Sequence, residues 1–228
     1  MSAMPSTLPN YGIDADRVLE LDPPLRALRR RIDGRFAVDE LGADPHLMDV
    51  LSPLGAPIRV HVERGENLPR VGPALLVSNR GFGLVEPIVL VLGVRRAVGR
   101  RLRVVGATGL PVVGPMVHKL GATGSRPRDV AALLRNGHLA AAPLAPTWLR
   151  SGAGEPPRPL LAATLGFPVL PVVVRAGGPI GLPIRPWRMI VGEPLLPPPG
   201  TEPGDQLAAA ELAEAVRNAV RSLLQDTR

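Results

Sequence analysis

The sequence predicts an α/β fold: a single domain with a mostly parallel sheet flanked by helices, plus helices at the N-terminal and C-terminal ends. Three observations predict it. Continuous apolar runs at residues 73–78 and 167–174 read as strands buried on both faces, the pattern of a parallel sheet. Segments with helical spacing lie between such runs, and that alternation is the mark of α/β architecture. Residues 206–224 carry the clearest amphipathic repeat, with Leu207, Leu212, Ala215, Val216, Ala219, Val220 and Leu223 as its apolar positions.

Each element follows in order. Residues 1–12 read as a loose tail. Asp14 or Asp16 can cap a helix through Val18, Leu21, Leu25, Leu28 and Ile32, interrupted at Pro23-Pro24. Arg26, Arg29, Arg30, Arg31 and Arg35 give it a basic face, read either as a solvated surface or as a contact for phosphate or an anionic membrane. A second short helix runs through Leu47, Val50 and Leu51. Residues 1–56 are thus a tail and helical segment, and residues 57–228 form one α/β unit. Ile58, Val60 and Val62 alternate with polar neighbours as a strand does. After the buried strand at 73–78 come a helix over 84–98 and a strand over 102–105. Residues 109–121 are turn-rich. Asp129 opens a helix to Arg135, closed by Asn136-Gly137, and a strand over 139–142 ends at Pro143. A Pro/Gly-rich loop, a short helix at 160–165, the strands 167–174 and 187–191, and a Pro-rich linker lead to the last helix.

Composition excludes several function classes. The 228 residues contain no cysteine, so disulfides, thiolate nucleophiles, zinc fingers and iron–sulfur clusters are ruled out. Aromatics at 3% are too sparse to stack single-stranded nucleic acid, and no nucleic-acid-binding signature accompanies the net charge of +7, so nucleic acid is not an expected partner. All basic residues except Lys119 are arginine. The excess reads either as compositional bias toward Ala, Gly, Pro and Arg or as anion recognition, since the guanidinium fork binds two oxygens at once. A membrane span needs roughly 20 apolar residues. The longest apolar run, near 84–94, is broken by Glu86, Pro87 and Gly93, so no span is expected, and Met1 to Asn10 lacks the apolar core of a secretory signal. No cofactor or metal is expected. Gly81-Phe82-Gly83 is too short for a dinucleotide fingerprint, and Ser78-Asn79-Arg80-Gly81 is not a hydrolase nucleophile elbow.

Four stretches carry a family resemblance. They are Gly65-Glu66-Asn67-Leu68-Pro69 with the run Gly72 to Asn79; Leu110-Pro111-Val112-Val113-Gly114 with Leu120-Gly121-Ala122; the run Leu133 to Pro143; and the run Phe167 to Val174. In order and spacing the chain resembles the phospholipid/glycerol acyltransferase family, of the lysophosphatidate-acyltransferase-like fold, over residues 57–194. The resemblance implies acyl transfer from a thioester on CoA or acyl carrier protein to a glycerolipid hydroxyl. In the family a histidine, oriented by an aspartate, acts as general base, and a glutamate and an arginine hold the glycerophosphate.

The residues depart from that pattern where the chemistry sits. Arg80 follows Asn79 where the family has histidine. Arginine stays protonated in proteins and cannot accept the hydroxyl proton. Val85 occupies the aspartate position, and Glu86, one residue later, is the nearest carboxylate. The family's P-E-G reads Pro143-Leu144-Ala145 here. The expected outcome is a family member with impaired catalysis. The alternatives are a non-catalytic homologue that binds acyl groups, lipid or a partner, and an active enzyme with an unusual base such as His118 or His138. No residue is assigned a catalytic role. The expected binding positions are Asn79, Arg80, Arg126, Arg128, Pro143 and Leu144, with Arg80 and Glu86 able to pair in place of His–Asp. The implied partners are acyl-CoA or acyl carrier protein and a glycerolipid. The expected location is cytoplasmic, with peripheral contact at the inner membrane surface.

Overall fold

The computed structural model describes residues 29, 32–33, 58–79, 85–106, 121–144, 157–176, 186–197 and 200–226. Arg80, Phe82, His118, Trp148, the 109–120 stretch and the helices expected through Val18 and Leu47 lie outside the described residues. From the first of those helices, Arg29 and Ile32 are helical and exposed, and the Asp33 N–H donates to the Arg29 carbonyl at 2.9 Å.

Among the described residues, seven strands form one sheet: β1 (Val60–Glu63), β2 (Ala74–Ser78), β3 (Leu102–Val105), β4 (Ala122–Thr123), β5 (Leu139–Pro143), β6 (Val169–Arg175) and β7 (Trp187–Val191). Their order is β1-β7-β6-β2-β5-β3-β4. The five strands from β6 to β4 are parallel, whereas β7 is antiparallel to β6 and β1 follows β7. Four helices with both ends among the described residues accompany the sheet: α1 (Glu86–Val98), α2 (Pro127–Arg135), α3 (Arg158–Ala163) and α4 (Gln206–Gln225). The α/β expectation therefore holds, with a mostly parallel sheet. The Gly65–Asn67 segment makes a single 3-10 turn. The two-residue β4 was not expected, since residues 122–123 are too short to show a period.

The two sheet faces carry separate cores. Alternation along β2 sends Leu75 and Val77 to one face, where Val130 and Leu134 of α2, Leu160 and Leu161 of α3 and Val216 of α4 meet them. Ala74 and Leu76 go to the other face, against Val89, Leu90 and Val94 of α1. Removing each such side chain from water contributes about 1.5–3 kcal/mol. Helix α1 lies close on its face: a Cβ at Gly93 would sit 2.4 Å from Met189 Sδ, so a larger residue there would have to displace the Met189 side chain. The α4 expectation needs a correction. Its buried face is Ala208, Ala209, Leu212, Ala213, Val216, Val220 and Leu223. Leu207 is 72% exposed, and Ala215 also faces solvent. The Asp205 carboxylate caps the helix, accepting from the Leu207 and Ala208 N–H groups.

Pro171 sits inside β6, where a proline normally breaks a ladder. The N–H groups of β6 alternate between neighbours, and that of Val174 points to β2, so the position lacking an N–H faces β7. There β7 ends at Val191, and the Gly192 N–H donates to the Pro171 carbonyl at 2.8 Å. A Cβ at Gly192 would meet Pro171 Cγ at 2.6 Å, so the glycine is what lets the two chains approach.

Candidate functional site

The connections of the sheet define a crevice without reference to any motif. From β2 the chain passes through α1, on one face, to β3. From the adjacent β5 it passes through α3, on the opposite face, to β6 beyond β2. Neighbouring parallel strands whose connections leave to opposite faces form a switch point, and ligands of open α/β sheets bind outside the carboxyl ends of the strands there. Here the switch point is at Ser78-Asn79 of β2 and Pro143-Leu144 of β5. Ser78 is in register with Pro143 and with Val172 of β6.

The main chain is held firmly at this point. The Leu144 N–H donates to the Ser78 carbonyl at 2.8 Å, and the Asn79 N–H donates to the Val172 carbonyl at 3.1 Å. One ladder step further, the Val174 N–H is bonded to Asn79 Oδ1 at 2.7 Å. In a continuing parallel strand that donor would reach the Asn79 main-chain carbonyl. The side chain thus completes the ladder in place of the backbone, which turns off the sheet at this residue. Asn79 is 3% exposed, and its carboxamide fixes the start of the turn that leads to Arg80. Leu144 is fully buried in the core shared by α2, α3 and α4. Ser78 is also fully buried, and its Oγ has no hydrogen-bond partner among the described residues.

The structure brings Asn79, Pro143 and Leu144 together at the carboxyl edge. Glu86 opens α1 and lies in its first turn, partly buried. Its expected pairing with Arg80 lies outside the described residues. Arg126 precedes α2 as its N-cap residue, and both it and Arg128 are exposed. Arg128 pairs with Asp129 at 3.5 Å. These two arginines follow β4, three strands from β2 on the same edge, a lateral offset of about 14 Å at ~4.8 Å per strand. His138 lies just before β5, at the amino edge of the sheet. Five residues of strand, about 16 Å, separate it from Pro143, so it does not reach the crevice. Among the described residues no group of three or more His, Asp or Glu side chains could hold a metal ion, and no helix is long and apolar enough to cross a membrane.

Two arginines, Arg100 buried and Arg103 partly buried, were missed by the sequence reading. Arg100, 7% exposed, donates to the carbonyls of Pro69 (3.1 Å), Gly72 (2.6 Å) and Gly137 (2.7 Å). It ties the loops that enter β2 and β5, and burial lowers its pKa. Arg103 of β3 lies across Gly121, where a Cβ would come 3.2 Å from its Nη1, and burial brings its guanidinium down to about 10. Their signal was weak, because one Arg among many in Arg-rich sequence looks solvated. The glycines at 72, 121 and 137 were the only hint.

No family model matches the chain. The chain is 29% identical, over 254 aligned positions, to uncharacterized proteins of Mycobacterium tuberculosis and Mycobacterium bovis, covering 86% of this chain and 71% of each relative. An uncharacterized protein of Mycobacterium leprae aligns at the same identity over 69% of its length. Among solved structures, the 1-acyl-sn-glycerophosphate acyltransferase PlsC from Thermotoga maritima is similar with a TM-score of 0.48 and 20% identity, over 76% of this chain and 79% of that chain.

Proposed function

We propose that the crevice between the carboxyl ends of β2 and β5 binds an acyl thioester, of CoA or acyl carrier protein, together with a glycerolipid, and that the chain lacks the usual means to transfer the acyl group. The motif resemblance and the topology point independently to the same strand ends, which supports a ligand site there. The observation that carries the loss of chemistry is Leu144. It occupies the position of the family's glutamate, it is fully buried among apolar side chains, and its N–H is tied to β2. A carboxylate could not stand there without a large desolvation cost. Arg80, at the position of the family's base, cannot take up a proton.

In this reading Asn79 positions the end of β2, Arg80 supplies a fixed cation to ligand binding, and Arg126 and Arg128 contact a phosphate-bearing group further along the edge. General-base catalysis is worth about 10²–10⁴-fold, which is the deficit expected of the chain. Peripheral contact with an anionic inner membrane surface, through Arg29, Arg30 and Arg31, belongs to the same proposal. Unchanged co-sedimentation with anionic vesicles after their substitution would argue against that contact.

The test is thiol release from a panel of acyl-CoAs, with lysophosphatidate and glycerol 3-phosphate as acceptors. Wild type is expected to bind acyl-CoA and to show at most residual acceptor-dependent turnover. Full turnover by wild type would overturn the impaired reading and require another base, with His118 the first to replace. Failure to bind any acyl-CoA would overturn the ligand class.

A further inference from the structure

We infer that the Ser78 hydroxyl is the hydrogen-bond donor that the crevice holds for the carbonyl oxygen of a bound acyl group, an inference that rests on the acyl-ligand reading above. Ser78 is the last residue of β2, at the switch point, and is fully buried. Its Oγ has no hydrogen-bond partner among the described residues. Buried hydroxyls in native proteins are almost always paired, so an unpaired one at a ligand crevice has a ready explanation in the ligand.

The fold shows which way the hydroxyl faces. Along β2, Ser78 shares its side with Ala74 and Leu76, the side covered by α1. Its register neighbour Val172 belongs to that same apolar cluster. Helix α1 begins on this face and leaves its N-terminus without a side-chain cap. The hydroxyl therefore stands at the carboxyl end of the apolar cluster that α1 covers.

The Ser78 O–H donates to the thioester carbonyl oxygen, and no covalent bond is made or broken.

The experiment compares palmitoyl-CoA with S-hexadecyl-CoA, a thioether that lacks the carbonyl, in equilibrium binding to wild type and Ser78→Ala, with thermal unfolding of both proteins. Ser78→Ala is expected to weaken palmitoyl-CoA about 5-fold to 10-fold, the worth of one hydrogen bond. The thioether should bind both proteins equally. The unliganded variant should melt no lower than wild type, because an unpaired hydroxyl has been removed. Equal effects on the two ligands, or none, with wild type binding both, would overturn this inference alone. A lower melting temperature with binding intact would also overturn it, by showing an internal partner. Binding of neither ligand by wild type would overturn the acyl-ligand reading and this inference with it.

Discussion

The side-chain oxygen of Asn79 accepts the Val174 N–H at 2.7 Å and so stands in for the Asn79 main-chain carbonyl in the ladder between β2 and β6. The chain can leave the sheet at the crevice without orphaning a buried donor. Asn79→Ala would leave the Val174 N–H unpaired in a buried site, and is expected to cost about 1–3 kcal/mol. Urea unfolding of the variant checks this. Wild-type stability would mean that the backbone can re-form the ladder unaided.

Leu144 is expected to behave as a core residue. Leu144→Ala should lose about 2–5 kcal/mol through lost burial and the cavity left behind. Leu144→Glu, which restores the family's carboxylate, should lose more at neutral pH and regain part of it in acid, because a buried unpaired carboxylate favours its protonated form. Denaturation midpoints at pH 4.5 and pH 7.5, chosen to bracket that titration at roughly neutral and acid values, separate the two variants.

Arg100 joins three carbonyls from two separate loops. A lysine ammonium is a compact donor without the planar fork, and cannot serve Pro69, Gly72 and Gly137 in the same geometry. Arg100→Lys is expected to cost about 2–3 kcal/mol, given that hydrogen bonds to charged groups contribute ~1.5–3 kcal/mol each. The loss should appear as faster amide exchange at the amino ends of β2 and β5.

Glu63 and Arg188 form a cross-strand ion pair between β1 and β7 at 2.7 Å. The hydrogen bond from the Arg188 guanidinium, aided by its charge, holds the Glu63 carboxyl below its ordinary value of 4.5. Folded Glu63 thus binds its proton less readily than the unfolded chain does. The pair's contribution is complete above that ordinary value and is lost as pH falls through the lower folded one. Arg188→Met should melt below wild type at neutral pH, and the difference should close in acid. A gap that stays constant with pH would contradict this account.

Much of the fold was legible, for physical reasons that differ by element. The strands at 102–105 and 187–191 end where expected because Gly, Pro or Arg residues bound their apolar runs. Helix α4 was recognised from its repeat, yet the side it buries was misread at its start. Leu207 is large and apolar but points to solvent, while the small Ala208 and Ala209 make the contact. Motif order points to the carboxyl ends of β2 and β5, and the opposite departures of these two strands make the same place a topological switch point. What the sequence hid were partners far along the chain: Asn79 with Val174, Arg100 with Gly137, and the unpaired state of Ser78. None of these has a local pattern, because each depends on which strands come to lie side by side.

The central claim, that an acyl ligand occupies the β2/β5 crevice, is tested most directly by cross-linking with a palmitoyl-CoA carrying a photoreactive diazirine on its chain. Peptide mapping should find saturable label on segments containing residues 74–79 and 139–144, suppressed by excess palmitoyl-CoA. Label confined to the surface around Gly200 to Asp205, or label that excess ligand does not suppress, would contradict the account.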